Sequence, residues 1–175
     1  MMATAMMHQA GQPRRRHGFS LLELLVVIGI IGVLSVLAFA VLSGVLQRAR
    51  DTKRKNDLAQ MGRFLLAAEC YLPDAGEGNY DLTQIAAELA AKYPQFSQVI
   101  LHLPRDPKIG TETASGYRYE VTNDRHCVLY ANLENSGEPV TLTGIAVPTP
   151  NAGVGVLAAS APGPNGTNRY QQISQ

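Results

Sequence analysis

The sequence predicts an α+β protein: one long N-terminal helix, apolar in its first half and amphipathic in its second, followed by a small antiparallel β-sheet. Three observations carry this. Leu24 to Gln47 is an unbroken run of 24 uncharged residues. Leu58, Met61, Leu65, Ala68 and Leu72 recur at spacings of three and four, one stripe of a helix. Tyr117, Tyr119 and Val121 alternate with Arg118, Glu120 and Thr122, the period of a half-buried strand. With 175 residues in all, at most one globular domain of ordinary size fits beside the helix.

Residues 1–18 are Met-rich and polar and end in Arg14-Arg15-Arg16-His17-Gly18, which reads as a cytoplasmic leader peptide. The uncharged run that follows spans roughly 36 Å as a helix at about 1.5 Å per residue, enough for a bilayer core of about 30 Å. Residues 19–47 are therefore expected to be a transmembrane helix. Arg14, Arg15 and Arg16 precede it, but Arg48, Arg50, Lys53, Arg54 and Lys55 follow it, so cation asymmetry does not set its orientation.

No Pro occurs between Val45 and Leu72, and the opposite-charge pairs Asp51–Lys55 and Lys53–Asp57 stand four residues apart, supporting a helix that continues beyond the span. Pro73, Asp74, Gly76, Gly78 and Asn79 stop it. Asp81 can cap a shorter helix ending at about Lys92, before Pro94. Strands are expected over Tyr117–Thr122, Cys127–Leu133 and Val140–Ala146, as a three-stranded meander. Residues 48–147 make the head on this reading. Residues 148–175, with four Pro, four Gly and the single charge of Arg169, read as a Gly/Pro-rich flexible tail.

Composition excludes several functions. Fifteen Lys+Arg against 14 Asp+Glu leave a net charge of +1, without the cationic surplus that nucleic-acid binding needs. The basic stretch Arg48–Lys55 is interleaved with acids and lacks aromatics for stacking bases, so a solvated or lipid-headgroup face is expected there. Two cysteines, Cys70 and Cys127, are too few for a disulfide scaffold or a four-thiolate metal site. No nucleophile, base and orienting acid stand at recognisable spacing, so no catalytic residues are assigned. His126 and Cys127 are neighbours on a strand and point to opposite faces, which prevents their converging on a substrate.

Gly18-Phe19-Ser20-Leu21-Leu22-Glu23, entering the apolar run, carries the functional signal. A carboxylate one turn inside a membrane helix is costly and normally has a partner or a function. A cut after Gly18 would place a new ammonium group on Phe19, within reach of Glu23 on a neighbouring subunit. These residues, with the preceding arginines and the long helical continuation, resemble the class III signal of type IV pilins and of type II secretion pseudopilins. Ala49 to Leu58, then Tyr71, Asp74, Gly76 and Tyr80, are similar to that superfamily's helix and following loop, although Asp81 rather than Pro follows Tyr80.

The resemblance implies a pilin-like lollipop, the long helix half in the membrane and half packed on the sheet. It implies cleavage by a prepilin peptidase after Gly18, methylation of Phe19, and assembly through Glu23. Its implied partners are other pilin or pseudopilin subunits, the peptidase, an inner-membrane assembly platform and membrane lipid. The chain would be a single-pass protein of the bacterial inner membrane, with residues 1–18 cytoplasmic and the head outside, reaching a pilus or pseudopilus after assembly. Such a subunit is not an enzyme and takes no cofactor. Arg105-Asp106-Pro107 with Tyr117 resembles the loop where some pseudopilins hold calcium, but Asp106 and Glu112 supply too few oxygens, and a turn rather than a metal site is expected. Outside the cytoplasm, Cys70 and Cys127 are free to form a disulfide; two buried thiols are the other reading. Asn165-Gly166-Thr167 is a glycosylation sequon. The competing function is a signal-anchored extracytoplasmic binding module, which would not be processed to residues 19–175.

Overall fold

The computed structural model describes residues 19–65 and 69–175. Its first helix, α1, spans Leu21–Leu65. Two compact units divide the chain, one ending at Val41 and the other comprising Leu42–Gln175. In the first unit the apolar side chains of α1 are exposed all round, from Leu21 at 87% to Phe39 at 75%. This helix is long and apolar enough to cross a membrane. Ser35 returns its hydroxyl to the carbonyl of Ile31 at 2.8 Å, which satisfies this polar side chain in mid-run without breaking the helix.

In the second unit, β1 (Gly78–Asp81), β2 (Arg118–Val121), β3 (Cys127–Asn132), β4 (Gly155–Ala158) and β5 (Arg169–Ser174) form one sheet in the order β1-β2-β3-β5-β4. Every pairing is antiparallel. One cross-strand row, Tyr80–Tyr119–Leu129–Ile173, runs along the inner face. Leu58, Met61 and Leu65 of α1 share the core with this face, and Leu82, Ile85 and Leu89 of α2 (Leu82–Lys92) and Ile100 of α3 (Ser97–Leu101) close it. Each buried side chain of this size contributes about 1.5–3 kcal/mol, so the stripe on α1 is the main cement between helix and sheet.

Asp81 caps α2, and Gln84 returns its side chain to the Asp81 N–H, completing a capping box. The Asp81 carboxylate also accepts from the N–H and hydroxyl of Ser115 and the N–H of Gly116, so the same group fastens the loop before β2. Burial works against this charge, but the donors, first the N–H of Thr83, hold its pKa below the ordinary value.

Three expectations are corrected. The amphipathic helix does not reach Leu72: α1 ends at Leu65, and Glu69 and Cys70 adopt positive φ (55° and 52°), which ordinary helix forbids. Ala68 of the expected stripe lies outside the described residues. Val140–Ala146 is not a strand. The N–H groups of Thr141 and Leu142 both donate to the single carbonyl of Val156, one rung rather than a ladder.

The third correction concerns residues 148–175, which are not a flexible tail. They contain β4 and β5, and β5 occupies the place beside β3 that Val140–Ala146 was expected to take. Apart from Gly155, which opens β4, the Gly and Pro residues sit in the connections, where Gly153 and Gly166 supply φ near +91° and +92°. Val156, Leu157, Asn165 and Gln172 of this segment are buried.

Candidate assembly and processing site

Gly18 lies outside the described residues; Phe19, the residue after it, is 88% exposed. Ser20 then starts α1. Its hydroxyl accepts the N–H of Leu22 at 3.2 Å, while the Glu23 carboxylate accepts the Ser20 N–H at 3.0 Å. Two of the four N–H groups that a helix start leaves orphaned are thereby satisfied reciprocally. The Ser-x-x-Glu spacing before an apolar run was the sequence signal for this box, and the charge argument for Glu23 passes over it. Glu23 also stands where the helix dipole favours a negative charge.

Cys70 and Cys127 are joined by a disulfide, with S–S 2.04 Å and Cα–Cα 5.5 Å. It ties the segment after α1 to the first residue of β3. Gln175 continues the β3–β5 ladder alongside, exchanging both backbone hydrogen bonds with Cys127 at 2.9 and 3.0 Å. His126 is exposed beside it.

The largest departure from sequence reading lies on α1 just beyond the apolar run. Arg54, expected on a solvated face, is fully buried. Its guanidinium grips Asp106 with two parallel bonds, Nε to Oδ2 at 2.7 Å and Nη2 to Oδ1 at 2.9 Å. It also reaches Asp51 and Glu134, each at 2.7 Å. Arg50 forks onto Glu134 from the next turn of the helix at 2.8 and 2.7 Å. Asp51 pairs with Arg54 rather than with Lys55, and Lys55 instead bonds Glu138. The expected pair Lys53–Asp57 is present, and Asp57 also accepts the hydroxyl of Tyr117 at 2.7 Å.

Asp51 completes the cluster by accepting the N–H groups of Glu134 and Asn135, at 2.9 and 2.8 Å. Asp106 accepts those of Lys108 and Ile109, which shapes the turn in that loop. Burial opposes the charge of Arg54, but its hydrogen bonds to Asp106 and Glu134 raise its pKa above the ordinary value. The fork from Arg50, aided by Arg54, brings Glu134 down to about 2. Asp106 is also held below the usual range, its burial outweighed by Arg54 and the two loop N–H groups.

The sequon is not exposed: Asn165 is buried, and its Nδ2 donates to Asp106 Oδ2 at 3.1 Å and to the Asn132 carbonyl at 2.8 Å. One helix and two loops thus meet on a single guanidinium, and the connection before β5 joins them through Asn165 and Asp106. The arrangement is a fastening.

Residues 13–39 match the family model described as the prokaryotic N-terminal methylation motif. The chain carries a class III signal. That signal is characteristic of type IV pilins and pseudopilins, and the long N-terminal helix with a small antiparallel sheet is a pilin-like α+β arrangement. The methylation motif takes in Gly18, Phe19, Ser20 and Glu23 and the first two thirds of the apolar run. No curated protein and no solved structure matches the chain.

Proposed function

We propose that the chain is a structural prepilin, cut after Gly18, methylated on Phe19 and built through its N-terminal helix into a type IV pilus-like or secretion pseudopilus filament. The observation that carries this reading is the methylation motif at residues 13–39, placed directly on the start of a helix with the length and composition of a membrane span. The peptidase and an inner-membrane assembly platform act on the chain, which itself contributes no catalytic group. Residues 1–18 face the cytoplasm and the head lies outside.

Glu23 serves assembly. Within a bundle of apolar helices, an unpaired carboxylate and an unpaired ammonium each carry a desolvation cost of several kcal/mol, whereas opposed on neighbouring subunits they neutralise each other. The pair sets axial register more than it adds stability. Mass spectrometry of the membrane-extracted chain tests processing: residues 19–175 bearing one extra methyl group are expected, and Gly18→Val should leave the leader attached. An N-terminus at Met1, or a cut beyond Ala38 as in a secretory signal, would refute the prepilin reading.

A further inference from the structure

Leu42 to Gln47, the last turns of the apolar run, belong to the same compact unit as the head, and Leu42, Val45 and Leu46 stand 48%, 53% and 52% exposed. The head is fastened directly beyond them. Arg50, three residues past Gln47 and about 4.5 Å further along the helix, bonds Glu134 Oε2 at 2.7 Å. Lys108 Nζ lies 3.8 Å from the same oxygen and donates to the Asn165 carbonyl at 3.3 Å. Loops 104–110, 133–139 and 159–168 are thereby held level with the first turns of α1 after the apolar run. Gln175, by contrast, lines a recess with Ala59, Gly62 and Arg63 and pairs with Cys127. The turn 122–126 and, through the disulfide, the segment 69–77 therefore mark the far end of the head.

The two ends differ in charge. At the far end Glu69, Asp74, Glu77 and Asp124 are exposed, and Arg125 is paired with Glu69. At the near end Asp51, Asp106 and Glu134 are buried and Glu138 is bonded by Lys55, whereas Arg48, Arg105 and Lys108 are exposed. Glu134 alone has three cations about it, Arg50, Arg54 and Lys108. Residues 48–57 and the three loops together hold seven cations against five acids, so this end carries a positive surplus. Loop 159–168 adds no charge of either sign, and its Ser160, Ala161, Pro162 and Pro164 are exposed. An apolar stem adjoining a cationic rim matches the order of a bilayer, hydrocarbon and then phosphate. Anionic lipid attracts such cations within a Debye length of about 8 Å and repels acids, of which the exposed group just named stands at the other end.

We propose that this end of the head rests on the anionic phospholipid headgroups of the membrane that α1 enters, with Arg48, Arg105 and Lys108 against lipid phosphates and Ala161 and Pro162 at the interface. The proposal rests on reading α1 as a membrane span, and it adds to the prepilin reading a second lipid contact, made by the head itself.

The full chain, carrying a photo-reactive benzophenone side chain at Ala161 and reconstituted into vesicles of mixed phosphatidylcholine and phosphatidylglycerol, tests it. Illumination should join Ala161 to lipid, while the same probe at Asn123, on the far turn, should give no lipid adduct. A probe at Leu37, on the apolar half of α1, reports the membrane span independently. A lipid adduct from Leu37 with none from Ala161 would overturn the head contact and leave the span standing. Failure of both would overturn both. Equal lipid yields from Ala161 and Asn123 would reject a preferred face, and an Ala161 product joined to a second copy of the chain in place of lipid would equally reject the proposal. Lys108→Gln, which removes one cation at an exposed position, should lower the Ala161 adduct about fivefold. Vesicles of phosphatidylcholine alone, with the chain unaltered, should lower it further. An unchanged yield in either arm would overturn anionic lipid as the partner.

Discussion

The backbone N–H of Ser20 donates to Glu23 Oε2 across 3.0 Å, so the carboxylate that the charge argument assigns to a neighbouring subunit already has a partner in its own chain. Before assembly this contact lets an acid stand one turn inside an apolar helix without being orphaned. On the proposed filament reading, the same oxygens become available to a stronger, charged donor. Glu23 on this account has two successive partners, and they respond differently to substitution.

Glu23→Gln keeps an acceptor for the Ser20 N–H but removes the charge, whereas Glu23→Ala removes both. If the ammonium of Phe19 is the partner in assembly, both variants should enter sheared filaments poorly while peptidase processing proceeds normally at equal expression. Normal incorporation of Glu23→Gln, with loss only in Glu23→Ala, would show that capping alone is needed. Ser20→Ala, which deletes the other half of the box, should lower incorporation less than either.

Removing Arg54 leaves the buried carboxylates of Asp51 and Asp106 without a cation, while Glu134 keeps Arg50. Arg54→Met should therefore destabilise the head by about 3–5 kcal/mol, the usual cost of breaking a buried ion pair from one side. Arg54→Lys should recover only part of this, since an ammonium cannot form the parallel fork that Asp106 receives. Denaturant titration of the full-length chain in detergent, followed through the head's tyrosines, measures both.

The same cluster sets an acid limit. Glu134 titrates near 2 in the folded chain against about 4.5 in the unfolded one, so folding is favoured by its ionised form. This contribution is complete above about pH 4.5 and disappears as pH falls toward about 2. Asp106 and Asp81, shifted the same way, add to the slope. Thermal transitions measured between pH 7 and pH 2 should fall most steeply below about pH 4.5, and Glu134→Gln should flatten that fall.

The Cys70–Cys127 bond closes a sequence separation of 57 residues. Reduction, or Cys70→Ser with Cys127→Ser, should lower stability by about 2–5 kcal/mol. Thiol labelling of the denatured, unreduced chain should find no free cysteine; labelling of both would show that the bond does not form in the cell.

Deleting residues 148–175 removes β4 and β5 and uncovers the edge of β3, including its Leu129–Ile173 pair. A chain ending at Val147 is expected to lose its cooperative thermal transition. An unchanged transition would mean that β1, β2 and β3 suffice.

What the sequence makes legible here is local. Asp81, Gln84, Lys92 and Pro94 sit close enough together to define α2 unaided, Tyr117 to Val121 alternate cleanly, and Cys127 to Ala131 is a short apolar run after a turn. The class III signal likewise occupies one short stretch. By contrast, burial of Arg54 depends on Asp106 and Glu134, 52 and 80 positions away; its place four residues before Leu58 and seven before Met61, on the face of the apolar stripe, is the one local sign that separates it from Lys53. β5 was hidden because its alternation is carried by polar residues, Tyr170, Gln172 and Ser174 on one side and Arg169, Gln171 and Ile173 on the other. Hydrophobic pattern cannot separate such a strand from a loop. Val140–Ala146 alternates better than β5 does, yet β5 pairs with Val128 through Asn132.

The position of β5 between β3 and β4 bears on the order of events during synthesis. The residues of α1 leave the ribosome early and can enter the membrane while the rest of the chain is still being made. Arg169–Ser174 follow every other element in the chain, yet they form an interior strand. Until they arrive, β3 presents an open edge and Leu129 lacks its neighbour, a state prone to pairing with foreign strands. On the proposed reading, an anchored but unfinished head is the natural substrate for an extracytoplasmic chaperone or protease, and quality control falls at the moment β5 slides into place.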